Sequence, residues 1–360
     1  MKPNRSYSTW TLLASIAALT CAHAQPLTRL EERDFGKTAD GTTVKQFTLR
    51  NAHGMLVRVM SYGAIITEVD VPDRNGALTN VVLGASTFER YLSGFGNSAT
   101  TIGRVANRIA GAHFTLDGVE YKLEANNGTN TLHSGRRNFA SMVWQSQALP
   151  VQEHAAAVRF TCVSKDGEGG FPGTLTVHLT FTVTDDNELR LDYEATTDKA
   201  TILNLTNHGY YNLSGGGDLS AQELWLASDH YTVADASLIP TGEIASVTGT
   251  PLDFTKPTSL TARVGQLTAP AGMYDHNYII NGGGKSLVLA ARVVDAKSGR
   301  VMELRTDQPG VQLYTGARTA FCLETQHYPD SIHHPNFPST VLRPGETFKS
   351  TTLYTYSVRQ

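Results

Sequence analysis

The sequence predicts an all-β protein built as one large antiparallel β-sandwich, and three observations carry that prediction. Apolar and polar residues alternate with period two over many short segments. Turn dipeptides separate those segments. No helical periodicity lasts beyond three turns outside the first two dozen residues. Strands punctuated by frequent turns favour a sandwich or barrel over alternating βαβ units. The 360-residue chain is 40% hydrophobic, enough to bury a large core. Its formal charge of −3 gives no basic footprint for nucleic acid and no polybasic surface for a membrane.

The clearest strand is 175–183, LTVHLTFTV, whose apolar members all fall on one face. After the turn Asp185-Asp186-Asn187-Glu188, the set Leu189, Leu191, Tyr193 and Ala195 repeats the pattern. The two read as a hairpin with one face on a core. Comparable strands are expected at 44–49, 56–60, 65–71, 158–163, 286–294, 301–306 and 351–357. Between strands lie Asp40-Gly41, Asn75-Gly76, Asp117-Gly118, Asp166-Gly167 and Ser298-Gly299, all turn formers. With no internal repeat, low-complexity tract or Pro/Ser linker, residues 25–360 are expected to form a single domain.

Residues 1–24 read as a cleaved signal peptide. Lys2 and Arg5 start it, an apolar run from Trp10 to Leu19 follows, and Ala22-His23-Ala24 forms a small-x-small exit. The run is too short to span a bilayer, and no other stretch is long and apolar enough. A periplasmic or secreted protein without stable membrane association is therefore expected. Cleavage removes Cys21, leaving Cys162 and Cys322 without the CxxC spacing of zinc or redox motifs. They are expected as free buried thiols, with pairing in an oxidising compartment as the alternative.

Common enzyme signatures fail here. Gly282-Gly283-Gly284-Lys285-Ser286 resembles a phosphate loop, but Ile279 stands where the first glycine is required, so a hairpin turn is expected instead. GxGxxG, HExxH and GxSxG are all missing, which counts against dinucleotide enzymes, zincins and common serine hydrolases. His327, His333 and His334 cluster near Asp330, but Pro329 and Pro335 make this an exposed loop on sequence grounds. Neither a metal nor a cofactor is expected.

The informative segments place ionisable groups beside aromatics and glycines. They are GRVANRI at 103–109, TLHSG at 131–135, NLTNHGYYNL at 204–213, YDHN at 274–277, GVQLYTG at 310–316 and FCLETQ at 321–326. In the last, an apolar run delivers Glu324 to a buried position, where a carboxylate is costly unless paired or functional. A salt bridge to one of the arginines is the structural alternative. His208 is read either as a satisfied core histidine or as a catalyst. Arg104 and Arg108, four apart, are read as strand-edge charges solvating the surface unless a ligand claims them. Carboxylates, amides, Arg, His and aromatic rings together suit a polyhydroxylated ligand. On residue chemistry alone this is a carbohydrate-binding β protein, with catalysis left open.

Those six segments, in this order from about residue 35 to the C-terminus, resemble the aldose 1-epimerase (galactose mutarotase) family. The resemblance implies a galactose mutarotase-like supersandwich with an open sugar cleft on one sheet, and interconversion of the α and β anomers of free aldohexoses such as glucose and galactose. It assigns Glu324 as general base and His208 as general acid. It assigns Asn107, Arg108, His133, Tyr210, Asp275 and Gln312 to substrate binding. LHSG replaces the commoner LHGG, and the stretch from Gln312 to Glu324 is short, which bears on sugar preference more than on chemistry. Opening a hemiacetal requires removal of the anomeric hydroxyl proton and protonation of the ring oxygen, so a carboxylate and an imidazole on different sides of the sugar are expected to suffice. The expected partner is a small free aldose, and the chain a monomer or homodimer. Three rivals share this kind of sandwich: a hexose-6-phosphate 1-epimerase using Arg104, Arg108, Arg136 and Arg137, a glycoside hydrolase using Glu324 with Asp275, and a non-catalytic sugar-binding protein.

Overall fold

Three antiparallel sheets carry most of the chain in the computed structural model, which describes Met1 and residues 27–93, 99–268 and 270–360. The expected signal peptide lies outside the described residues, apart from Met1. The hairpin read from period-two alternation forms as Leu175–Thr184 and Glu188–Thr197, in register from Leu175 against Thr197 to Val183 against Leu189. Leu175, Val177, Leu179, Phe181 and Val183 are all fully buried, alternating with threonines and His178 on the other face. Each such side chain contributes roughly 1.5–3 kcal/mol by leaving water, as an upper estimate. Asn187 closes the turn in the left-handed region, at φ 58°, a conformation asparagine tolerates.

This hairpin sits inside a nine-stranded sheet. Outward on one side lie Ala155–Ser164 and Gln145–Ala148. On the other lie Phe348–Val358, Arg300–Thr306, Val288–Asp295, Gln222–Leu226 and Thr258–Ser259. An amino-terminal five-stranded meander runs from Leu30–Lys37 through Thr43–Arg50, Leu56–Met60 and Ile65–Pro72 to Leu78–Asn80. Side chains of both sheets, such as Phe47 against Phe160 with ring centroids 5.8 Å apart, meet in one large core. The third sheet has five strands, in the order Pro240–Ser246, His230–Ala234, Asp275–Ile279, Gly310–Tyr314, Cys322–Gln326.

Two expectations need correction. Residues 282–286 do form a turn, with Gly282 and Gly284 at φ 76° and 81°, but it is not a hairpin. It carries the chain from the third sheet into the nine-stranded one, and the flanking strands do not pair with each other. Arg104 is not a surface charge. It is 2% exposed, and its guanidinium donates to the carbonyls of Ser164, Lys165, Pro172 and Gly173 and to the hydroxyls of Ser164 and Thr201. Burial lowers its pKa to about 10, so it stays charged at neutral pH. Cys162 and Cys322 are buried free thiols. No described helix is long and apolar enough to cross a membrane.

Candidate active site

The third sheet arranges the site. Cross-strand pairing puts Asn277, Gln312 and Glu324 in one row, and Asp275, Tyr314 and Cys322 in the next. Because side chains two apart on a strand share a face, all six project from one side of the sheet. A cavity of about 310 Å³ opens there, lined by Asn107, Arg108, Leu132, His133, His208, Tyr210, Leu238, Met273, Asp275, Tyr314 and Glu324.

His208 enters from the short strand Thr206–Asn207, which pairs with Thr101–Ile102. Its N–H donates to Thr100 O at 2.9 Å, and its carbonyl accepts from Ala99 N at 2.8 Å. The imidazole stacks on Tyr210, with ring centroids 4.9 Å apart and planes 15° off parallel. Its Nε2 then lies 3.6 Å from Glu324 Oε1. Both residues are buried, and burial disfavours the charged form of each. It pushes Glu324 well above the usual carboxylate range, with the Asp275 charge adding to the rise and Arg108 opposing it. It pulls His208 down to about 4. Glu324 Oε2 is buried without a protein hydrogen-bond partner, which leaves it available to a sugar hydroxyl.

Asn107 and His133 are tied to each other. His133 N–H donates to Asn107 O at 2.9 Å, and Asn107 N–H donates to His133 Nδ1 at 3.1 Å. Both have left-handed backbones, at φ 61° and 51°. Non-glycine residues held there store strain, which clusters at functional sites. Since Nδ1 accepts, the neutral ring carries its proton on Nε2. Burial holds His133 well below the usual imidazole pKa, with His208 and Arg108 lowering it further. His133 is thus a fixed neutral donor.

That tautomer also decides the metal question. Among the described residues, His133, His208 and Glu324 bring potential ligand atoms within 4.8 Å of one another. A metal-binding imidazole donates through its other nitrogen. His133 instead accepts there and presents N–H, so the trio does not fit a cation.

Arg108 reaches the cavity from the strand Arg108–Ile109, paired with Thr131–Leu132. Its guanidinium donates to Asn127 Oδ1 at 3.2 Å and lies 3.8 Å from Asp275 Oδ2. Asp275 Oδ1 accepts from Gln312 Nε2 at 2.5 Å. Burial raises the Asp275 pKa, while Arg108 and the Gln312 hydrogen bond oppose the rise.

Of the residues singled out in the sequence, Asn107, Arg108, His133, His208, Tyr210, Asp275 and Glu324 line one cavity. Gln312 does not. Its Nε2 donates to Asp275 Oδ1 from the same sheet face, and its Oε1 is buried without a hydrogen-bond partner among the described residues. Glu324 and His208, expected on different sides of the sugar, approach each other to 3.6 Å in this cavity. Sequence reasoning missed Tyr314, Leu238 and Met273. Tyr314 stands two residues after Gln312 on the same strand face, a relation that shows only once the strand is known. Leu238 and Met273 lie on turns and left no pattern.

The histidine-rich loop is corrected too. His333 Nδ1 lies 2.7 Å from Asp330 Oδ1, and His334 Nε2 lies 2.9 Å from Pro240 O. Asp330 is buried, its N–H donates to Arg108 O, and its carboxylate accepts from Ala110 N. The loop is half-buried bracing beneath Arg108, not the exposed loop expected from Pro329 and Pro335. The arginines invoked for a sugar phosphate are dispersed, Arg104 being buried in carbonyls and Arg136 exposed against Glu124.

A sequence model of the family described as Aldose 1-epimerase matches residues 45–355. The chain is 41% identical over 334 residues to the galactose mutarotase of Bos taurus, an alignment covering 88% of this chain and 95% of that one. It is 32% identical over 337 residues to the aldose 1-epimerase of Escherichia coli K12, covering 88% and 96%. Among solved structures, the galactose 1-epimerase of Lactobacillus acidophilus superimposes with a TM-score of 0.82 at 26% identity, covering 92% of this chain and 99% of that one. A GalM/aldose epimerase homologue from C. elegans gives 0.79 at 28%, covering 87% and 98%. Matched along nearly its whole β-sandwich, the chain belongs to the aldose 1-epimerase family.

Proposed function

We infer that this protein is an isomerase that interconverts the α and β anomers of free aldohexoses, glucose and galactose among them, by opening and reclosing the ring. The observation that carries the chemistry is the 3.6 Å approach of His208 Nε2 to Glu324 Oε1 inside one cavity. Glu324 takes the proton from the anomeric hydroxyl. The electron pair of that O–H bond forms the carbonyl, the bond from C1 to the ring oxygen breaks, and His208 gives its proton to the departing oxygen. The open aldehyde turns about its C1–C2 bond. Reclosure on the other face returns each proton to its donor. Nothing is oxidised or reduced.

Throughout this cycle the pair holds one proton between its members. Glu324 ionised with His208 protonated serves the cyclic sugar; Glu324 protonated with His208 neutral accompanies the open chain. Burial favours the second arrangement. Arg108 opposes the rise in the Glu324 pKa and keeps the first within reach. The His133 Nε2–H is placed to donate to a sugar oxygen, Asp275 accepts from hydroxyls remote from C1, and Tyr210 and Tyr314 offer aromatic surface to the ring.

The amino-terminal pattern of Lys2, Arg5, the apolar run and Ala22-His23-Ala24 supports action in the periplasm or outside the cell. Polarimetry tests the reaction: freshly dissolved α-D-glucose should relax far faster with the protein than without it. Activity confined to glucose 6-phosphate, or release of p-nitrophenol from aryl glycosides, would overturn this reading.

A further inference from the structure

The positive charge at the site comes from Arg108, which lowers the pKa of His133, Asp275 and Glu324 alike. Where its guanidinium points therefore bears on all three. Its Nε donates to Asn127 Oδ1 at 3.2 Å, Nη1 lies 3.4 Å from Asn107 Oδ1, and Nη2 lies 3.8 Å from Asp275 Oδ2. Two neutral carboxamides thus hold the fork, and one edge is left facing a carboxylate. A planar guanidinium gripped in this way is fixed in direction.

Asn107 belongs to the cavity, but Asn127 stands outside its lining, on a turn that is fastened without the Asn127 side chain. Asn127 N–H donates to Asn130 O and Asn130 N–H to Asn127 O, both at 3.0 Å. The Asn126 carboxamide bonds both backbone groups of Leu132, the residue paired with Arg108, and Asn130 Oδ1 accepts from Gly111 N at 3.0 Å. The turn is thereby registered to the strand that carries Arg108. Among the described residues, the hydrogen bond to Arg108 is the one that the Asn127 side chain makes.

We propose that Asn127 is a positioning residue that aims the Arg108 charge at Asp275 and Glu324 and, being neutral, leaves that charge undivided. The proposal rests on the reaction assigned above, in which Glu324 must be able to ionise. An amide oxygen orients a guanidinium by its dipole alone. A carboxylate in the same place would form a charge-assisted pair and draw the guanidinium field away from the cavity. His208, His133, Cys322, Tyr210 and Tyr314 also lie near Glu324, and none of them is a permanent cation. Among the described residues of the cavity lining, nothing stands in for Arg108.

The test follows kcat and KM for fresh α-D-glucose by polarimetry in wild type, N127A and N127D, from about pH 4 to 9 with the spontaneous rate subtracted. Asn127 has an ordinary backbone conformation, so neither substitution strains the turn. N127A should lower kcat/KM by about threefold to tenfold, chiefly through kcat. N127D should lower it further and move the alkaline limb of the profile upward by about 0.5 pH unit or more relative to N127A, because the added negative charge disfavours ionised Glu324. Damage to the turn alone would lower both variants without separating their limbs. In an R108A background, N127A should change kcat/KM by less than about twofold, since the side chain it acts through is gone. Both variants within about twofold of wild type, coincident limbs in N127A and N127D, or an undiminished effect of N127A on R108A would each overturn the proposal. A wild type that turns over no free sugar would instead strike the reaction assignment, and this inference with it.

Discussion

At the scale of single residues, the proposed chemistry depends on two buried groups whose environments push them in opposite directions. Burial lowers His208 to about 4 and raises Glu324 well above the usual carboxylate range, so between those two points the pair carries a single proton. Below pH about 4 His208 gains a second proton and no base remains. Above the raised value of Glu324 the proton is lost and no acid remains. The profile of kcat/KM for the free enzyme should therefore be bell-shaped, with its acid limb near pH 4. An acid limb near 6.5, the value of an unburied imidazole, would contradict the description of His208. Residue chemistry singled these two out without deciding their roles, since Glu324 ends an apolar run and His208 sits among asparagines and tyrosines; the roles came from the family resemblance. The sequence disclosed nothing of the Nδ1 hydrogen bond that fixes His133, because that depends on two left-handed residues meeting across a strand pair.

Elements make the site accurate. Arg104 locks the segment leading to Asn107 and Arg108 by filling the carbonyls of Ser164, Lys165, Pro172 and Gly173. Each buried acceptor left unsatisfied costs about 1–3 kcal/mol, so Arg104→Ala should lower the unfolding free energy by about 3 kcal/mol or more. Arg104→Lys, which keeps the charge without the planar fork, should cost less. Urea unfolding decides it, and a loss below about 0.5 kcal/mol in Arg104→Ala would contradict the staple. Strands such as Thr43–Arg50, Leu175–Thr184 and Arg300–Thr306 were legible because one face meets the core and alternation follows. Gly310–Tyr314 and Cys322–Gln326 were not. Their polar positions face a buried cleft, so GVQLY and CLETQ are almost entirely buried and the period-two signal vanishes. The strands hardest to see are those that carry the site.

For the whole molecule, the all-β architecture followed from turn chemistry and strand patterning, but the partition into three sheets did not. Pairings such as Glu188–Thr197 with Phe348–Val358 join segments far apart in sequence, and local pattern holds no record of the partner. The export expectation belongs at this scale. Protein purified from its native host should begin at Gln25, by intact mass or amino-terminal sequencing, and should appear outside the cytoplasm. A mature chain retaining Met1 would remove the signal-peptide reading.

The most direct measurement follows the optical rotation of fresh α-D-galactose with wild type, Glu324→Gln and His208→Asn. Removing either half of the proton relay should lower kcat by about 10²–10⁴-fold while KM moves little, since neither change removes the groups that grip the remote hydroxyls. Near-normal kcat in both variants would show that the anomeric proton travels by another route.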